Sequence, residues 1–194
     1  VSESHSHCAP TLLPVSSGCA PADTLRSMGA CEEAIRWVES SPDQSPEALW
    51  RTCHRGDWML WYAGRAGVDR RTLVRAACAC ARLTLGYVRD GEDRPLRAIE
   101  IAEAWARGEA TRDQVSTAAR AAFLAAAYAA RAADAASVVA AAFAAAYAAE
   151  AAYYDYAADA ASAAADAPYS ADVRADIRRR CADAVREVLP EVPL

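Results

Sequence analysis

Residues Thr111–Asp166 read TRDQVSTAARAAFLAAAYAARAADAASVVAAAFAAAYAAEAAYYDYAADAASAAAD. The stretch has neither glycine nor proline, and alanine fills most of its positions. Alanine has the highest intrinsic helix propensity, so the whole stretch is predicted to be helical. A single rod of this length would span roughly 80 Å. A globular chain of this size has a radius of gyration of about 16 Å, so the tract is expected to fold back on itself. Asp134 and Ser137 mark the place, because Ser137 is suited to cap a second helix that begins at Val138. The expectation is an alanine-rich helical hairpin over residues 111–166.

An alanine face buries little side chain but lets a neighbouring backbone come close. The few large residues of the tract are then expected to anchor it: Phe123, Leu124, Tyr128, Val138, Val139, Phe143 and Tyr147. AAFLAAAYAAR returns loosely as AAFAAAYAAE, but no such unit occurs in residues 20–108. Drift within a pair of alanine-rich helices explains this better than a solenoid repeat.

Outward from the tract, each segment carries its own start and stop signals. Thr111 and Gln114 form a capping box that opens it, and Asp166-Ala167-Pro168 closes it. Ser170 is expected to cap a last helix over 170–189, with Val173, Ile177, Cys181, Ala184 and Val188 as its core stripe. Upstream, Arg94-Pro95 starts a helix ended by Gly108. Leu96, Ile99, Ala102 and Trp105 should face inward there, with Glu103 and Arg107 paired outward. Arg89 to Asp93 is an exposed loop. Asp69 caps a helix reaching to about Tyr87, and Asp57 is expected to cap the aromatic helix WMLWYAGRAG. Trp58, Met59, Trp61 and Tyr62 cover most of that helix, which implies burial on nearly all sides or a place at an interface. Ser45-Pro46 begins a short helix, and Asp23 or Thr24 caps one that runs to about Glu39. Residues 1–22 read as a flexible tail, although His5, His7 and Cys8 stand close enough for a transient metal contact. The fold class is therefore all-α: about eight mostly antiparallel helices in a single domain over 23–190.

Composition narrows the function. The 194 residues carry a net charge of -5, and the basic residues are all arginine. Arg178-Arg179-Arg180 share their helix with Asp172, Asp176, Asp183 and Glu187, so no basic face of the kind a nucleic-acid backbone needs is expected. The alanine tract is too weakly apolar, and too often broken by charge, for a membrane span. The start shows no basic region followed by an apolar run, so no signal peptide is read there. The 7 cysteines lack paired metal-ligand spacing. Cys31, Cys53, Cys78, Cys80 and Cys181 read as small buried thiols in a reducing cytoplasm. Of the 3 histidines, His54 lies outside the tail, and beside Cys53 it points about 100° away along a helix, a poor dyad. No catalytic residue, metal site or cofactor is assigned.

Asp155, Asp159, Ser162 and Asp166 recur at the spacing of one helical stripe, with Tyr153, Tyr154 and Tyr156 close by. A continuous helix would hold the acids on one face, where they either meet water, pair with Arg174 and Arg178, or dock a basic partner. The candidate partner-binding residues are thus Asp155, Asp159, Asp166, Tyr153 and Tyr156, with Arg89 and Arg94 of the exposed loop as the next choice. A second possibility is a small-molecule-binding protein or an enzyme of specialised metabolism, using an apolar pocket between the Trp58–Tyr62 helix and the alanine helices. A third is a homodimer through that same aromatic helix.

The run CHRGDWMLWYAGRAGVDRRTLVRAACACARLTLGYVRDGEDRPLRAIEIAEAWARGEAT, residues 53–111, followed by an alanine helix with scattered Tyr and Asp, resembles the Imm-5-like group of bacterial immunity proteins, widespread in actinobacteria. The likeness covers about residues 23–189. It is carried by Gly56-Asp57-Trp58 with Trp61, by Arg94-Pro95-Leu96-Arg97-Ala98-Ile99-Glu100, and by Trp105 and Gly108. The resemblance implies a small cytosolic antitoxin that binds and blocks a cognate toxin domain. Asp57, Trp58, Trp61, Pro95 and Trp105 are expected to hold the structure.

Overall fold

A computed structural model describes residues 20–131, 136–167 and 170–193; for 130, 131 and 136–138 it describes the backbone alone. The tail with His5, His7 and Cys8 lies outside the described residues. Among those described, the chain is all-helical, with ten α-helices and one short 3-10 turn. They group into two units whose boundary falls between Gln44 and Ser45.

The first unit holds α1 (Pro21–Met28) and α2 (Glu32–Ser40). One helix was expected here, and Gly29 divides it. At φ +82° Gly29 ends α1 in a left-handed cap, its N–H and that of Ala30 donating to the carbonyls of Arg26 and Leu25. The two helices pack on each other, with Arg26 paired to Glu39 across them. Ala22, Ile35 and Val38 are buried. Cys31, expected inside, is exposed at the start of α2.

The second unit runs through α3 (Pro46–Thr52), α4 (Gly56–Arg65), α5 (Arg70–Arg82), a 3-10 turn (Leu85–Tyr87), α6 (Arg94–Arg107), α7 (Arg112–Arg131), α8 (Ala136–Glu150), α9 (Ala157–Asp166) and α10 (Ala171–Val188). Two helices form its centre. Helix α5 packs against α4, α6, α8, α9 and α10, and buries Leu73, Val74, Ala77, Cys78, Cys80 and Ala81. It stops at Arg82 rather than near Tyr87. Helix α8 packs against α5, α6, α7 and α9. Its Ala141, Ala142, Ala144, Ala145, Ala146, Ala148 and Ala149 are all buried. Small side chains on every side are what let four helices approach it closely.

The caps predicted from short-range pattern are mostly present. Ala48 N–H donates to Ser45 Oγ at 3.4 Å, Thr72 N–H to Asp69 Oδ1 at 3.1 Å, and Val173 N–H to Ser170 Oγ at 3.2 Å. Thr111 N–H donates to Gln114 Oε1 at 2.8 Å, and Gln114 N–H returns to Thr111 Oγ1 at 3.3 Å. Asp57 differs. Helix α4 begins two residues earlier than expected, at Gly56, and Asp57 sits in its first turn, holding Arg55 through contacts of 2.9 and 2.6 Å. Gly56 is needed there for contact: a Cβ on it would lie 2.7 Å from Cys181 Cβ and 2.8 Å from the Cys181 carbonyl carbon of α10.

Other expectations are corrected by the packing. Glu103 pairs with Arg82 of α5 at 2.7 and 2.8 Å, and Arg107 with Glu109, not with each other. The buried stripe of α10 is Ile177, Cys181, Ala182 and Val185, while Val173 is exposed. Leu124 and Tyr128 are 53% and 55% exposed and anchor nothing within the core. Phe123, Phe143 and Tyr147 do meet, with centroids 5.5 to 5.9 Å apart. Ala136 already opens α8, one residue before the expected cap Ser137; Asp134 and the Ser137 and Val138 side chains lie outside the described residues.

Candidate partner-binding surface

The alanine tract forms three helices, not two, and the extra break builds the candidate surface. Helix α8 ends at Glu150, the chain turns through 151–156, and α9 starts at Ala157. No glycine or proline makes this turn. Arg70 of α5 does: its Nη1 donates to the carbonyls of Ala151 at 3.2 Å and Tyr154 at 2.7 Å, and its Nη2 meets Asp155 Oδ1 at 3.1 Å. One guanidinium thus satisfies two backbone carbonyls of the turn itself.

The turn displays aromatic side chains. Tyr154 is 57% exposed, Tyr156 is exposed, and Tyr153 is half-buried under the guanidinium of Arg112, 5.3 Å from its ring centre. Tyr156 meets Tyr147 edge-on at 5.6 Å and Tyr154 at 5.3 Å, and Tyr154 meets Tyr153 at 6.2 Å. With Phe123 and Phe143 behind Tyr147, this is a continuous file of rings from α7 through α8 to the turn. Rings held by other rings lose little freedom when a partner covers them.

The single acidic stripe does not form. Asp155 lies in the turn, outside α9, and pairs with Arg70 instead of Arg174 or Arg178. Its side chain remains 93% exposed. Asp159, in the first turn of α9, and Asp166, at its end, are exposed, with Ser162 half-buried between them. Asp155 and Asp159 therefore flank the tyrosines, while Asp166 sits about 10 Å further along α9. Arg89 belongs to the exposed turn around Gly91, as expected. Arg94 pairs with Glu92 and lies 5.4 Å over the ring of Tyr128, a structural role between α6 and α7.

The remaining candidates have structural surroundings. In α4, Met59, Leu60 and Ala63 are buried while Trp58, Trp61 and Tyr62 are half-buried. Arg55 stacks on Trp58 at 4.4 Å and Arg65 on Trp61 at 5.6 Å, and Trp50 lies 6.4 Å from Tyr62. Helix α4 packs on α9 and α10. A groove of about 460 Å³ lies elsewhere, between α6 and α7. Pro95 is buried, and half-buried Trp105 carries Arg71 at 6.0 Å.

Cys53 is buried with its thiol 3.5 Å from the Arg55 carbonyl, and burial pushes it up to about 11, so it stays protonated at neutral pH beside exposed His54. Cys31, Cys53, Cys78, Cys80 and Cys181 are free thiols. Among the described residues, no three His, Cys, Asp or Glu are placed to hold a metal ion, and no helix is long and apolar enough to cross a membrane. Comparison with family models, with curated proteins and with solved structures finds no match to this chain.

Proposed function

We propose that this chain is an antitoxin of the immunity type, a cytoplasmic protein that neutralises a toxin domain by binding it through the turn between α8 and α9. The observation that carries the reading is the tyrosine group of exposed Tyr154 and Tyr156 with half-buried Tyr153, fixed by Arg70 and flanked by Asp155 and Asp159. Tyrosine is enriched at the centre of protein interfaces, and carboxylates at the rim speed encounter with a basic partner. The likeness of residues 53–111 to Imm-5-like proteins supplies the class of partner. Catalysis is no part of the proposal.

The test is co-expression with any toxin domain found encoded beside its gene. Growth protection by the intact chain, together with a one-to-one complex on gel filtration, is the expected result. Cells killed at the same rate with and without the chain would overturn the reading.

A further inference from the structure

We infer that the outer face of α7 is a two-fold contact between copies of this chain. Asp113, Thr117, Arg120, Leu124 and Tyr128 are all exposed. Their spacing of four, three, four and four residues places them on one stripe. Beside the stripe runs the groove between α6 and α7, floored by Ile101, Ala118 and Ala121 and edged by Gln114 and Thr117. The stripe carries a ridge, Leu124 and Tyr128, toward its C-terminal end, and the small-residue floor of the groove lies beside its middle.

The charges on the stripe select the occupant. Asp113 and Arg120 have opposite sign and stand seven residues apart, about 10 Å along the helix. A second α7 running antiparallel about a two-fold axis at Thr117 brings each Asp113 to the other's Arg120. The same operation brings each Leu124 level with the other copy's Ala110, beside Gln114 at the end of the groove. Such a contact is isologous, each residue pair occurring twice. The arginines at the groove's other edge, Arg94 and Arg97, are already matched within the chain by Glu92 and Asp93. A partner of one sign gains nothing there, whereas a second copy satisfies both signs. This face is distinct from the α4 contact that the aromatic pattern first suggested.

Sedimentation equilibrium of the full chain over a concentration series tests this. A reversible dimer is expected, and Leu124→Asp should weaken it by about tenfold or more, as at other interface centres. Asp113→Arg and Arg120→Asp should each weaken it, and the double exchange D113R/R120D should restore it, because the reciprocal pair is rebuilt in reverse. Thermal melts check that each variant folds; if Leu124→Asp does not, Thr117→Arg at the axis reads the same contact. A wild-type monomer at every concentration, or a dimer indifferent to Leu124 and Thr117, would overturn the inference. So would a double exchange that stays as weak as its parents.

Discussion

Arg70 is the residue on which the candidate surface depends. Its guanidinium donates to Ala151 and Tyr154, and both bonds are charge-assisted. Losing it removes both bonds from the turn, that to Ala151 part-buried and that to Tyr154 exposed, so Arg70→Ala should cost about 1.5–3 kcal/mol. The ion pair with Asp155 is exposed and screened, so Asp155→Asn should cost well under about 1 kcal/mol. Chemical denaturation of the two variants side by side checks this ordering; equal losses would move the weight to the ion pair. Glu150 is the second instructive residue. It ends α8, where the helix carbonyls disfavour a negative charge, and burial raises its carboxyl above the ordinary range. The fold then holds its proton more tightly than the unfolded chain does. Stability from this group is present below the unfolded pKa and falls as pH rises through the raised folded value. Glu150→Gln should therefore raise Tm at neutral pH, with the gain vanishing in acid. Melts at two pH values would show it, and a gain that persists in acid would contradict the linkage.

At the scale of elements, α4 and α10 meet backbone to backbone at Gly56 and Cys181. Gly56→Ala has no room, since the new carbon would meet backbone and Cβ rather than a movable side-chain tip. It should cost about 2–3 kcal/mol, as other overpacked sites do. A melt unchanged from wild type would mean that α4 does not sit this close. Helix starts were legible because a cap is a local event: Ser45, Asp69, Thr111 with Gln114, and Ser170 all lie within three residues of the groups they satisfy. Asp57 misled because its carboxylate has a nearer claimant in Arg55. The division at Gly29 was written in the sequence, as glycine is the residue that takes a left-handed cap without strain, but continuous periodicity on either side hid it. The break at 151–156 was not written locally. It is imposed from α5, 81 residues away, by Arg70.

Across the whole molecule, the all-helical class follows from composition and spacing, whereas the surface follows from where three alanine helices are forced to turn. Alanine explains both. It gives α8 four close neighbours, and it leaves the rare large residues to decide what is displayed. Leu124 and Tyr128, which the pattern assigns to the core, are displayed for that reason. The tyrosines were visible as a cluster in the sequence; their arrangement around a turn was not, since a continuous helix would have fanned them in different directions. The central claim is that this turn docks a toxin domain. Surface plasmon resonance of that domain against wild type, Tyr154→Ala and the double variant D155R/D159R tests it most directly. The account predicts that Tyr154→Ala weakens binding by about tenfold or more with an unchanged melt. It also predicts that the charge reversal mainly slows association, more so at low salt. Wild-type rates for both variants, in proteins that melt normally, would contradict it.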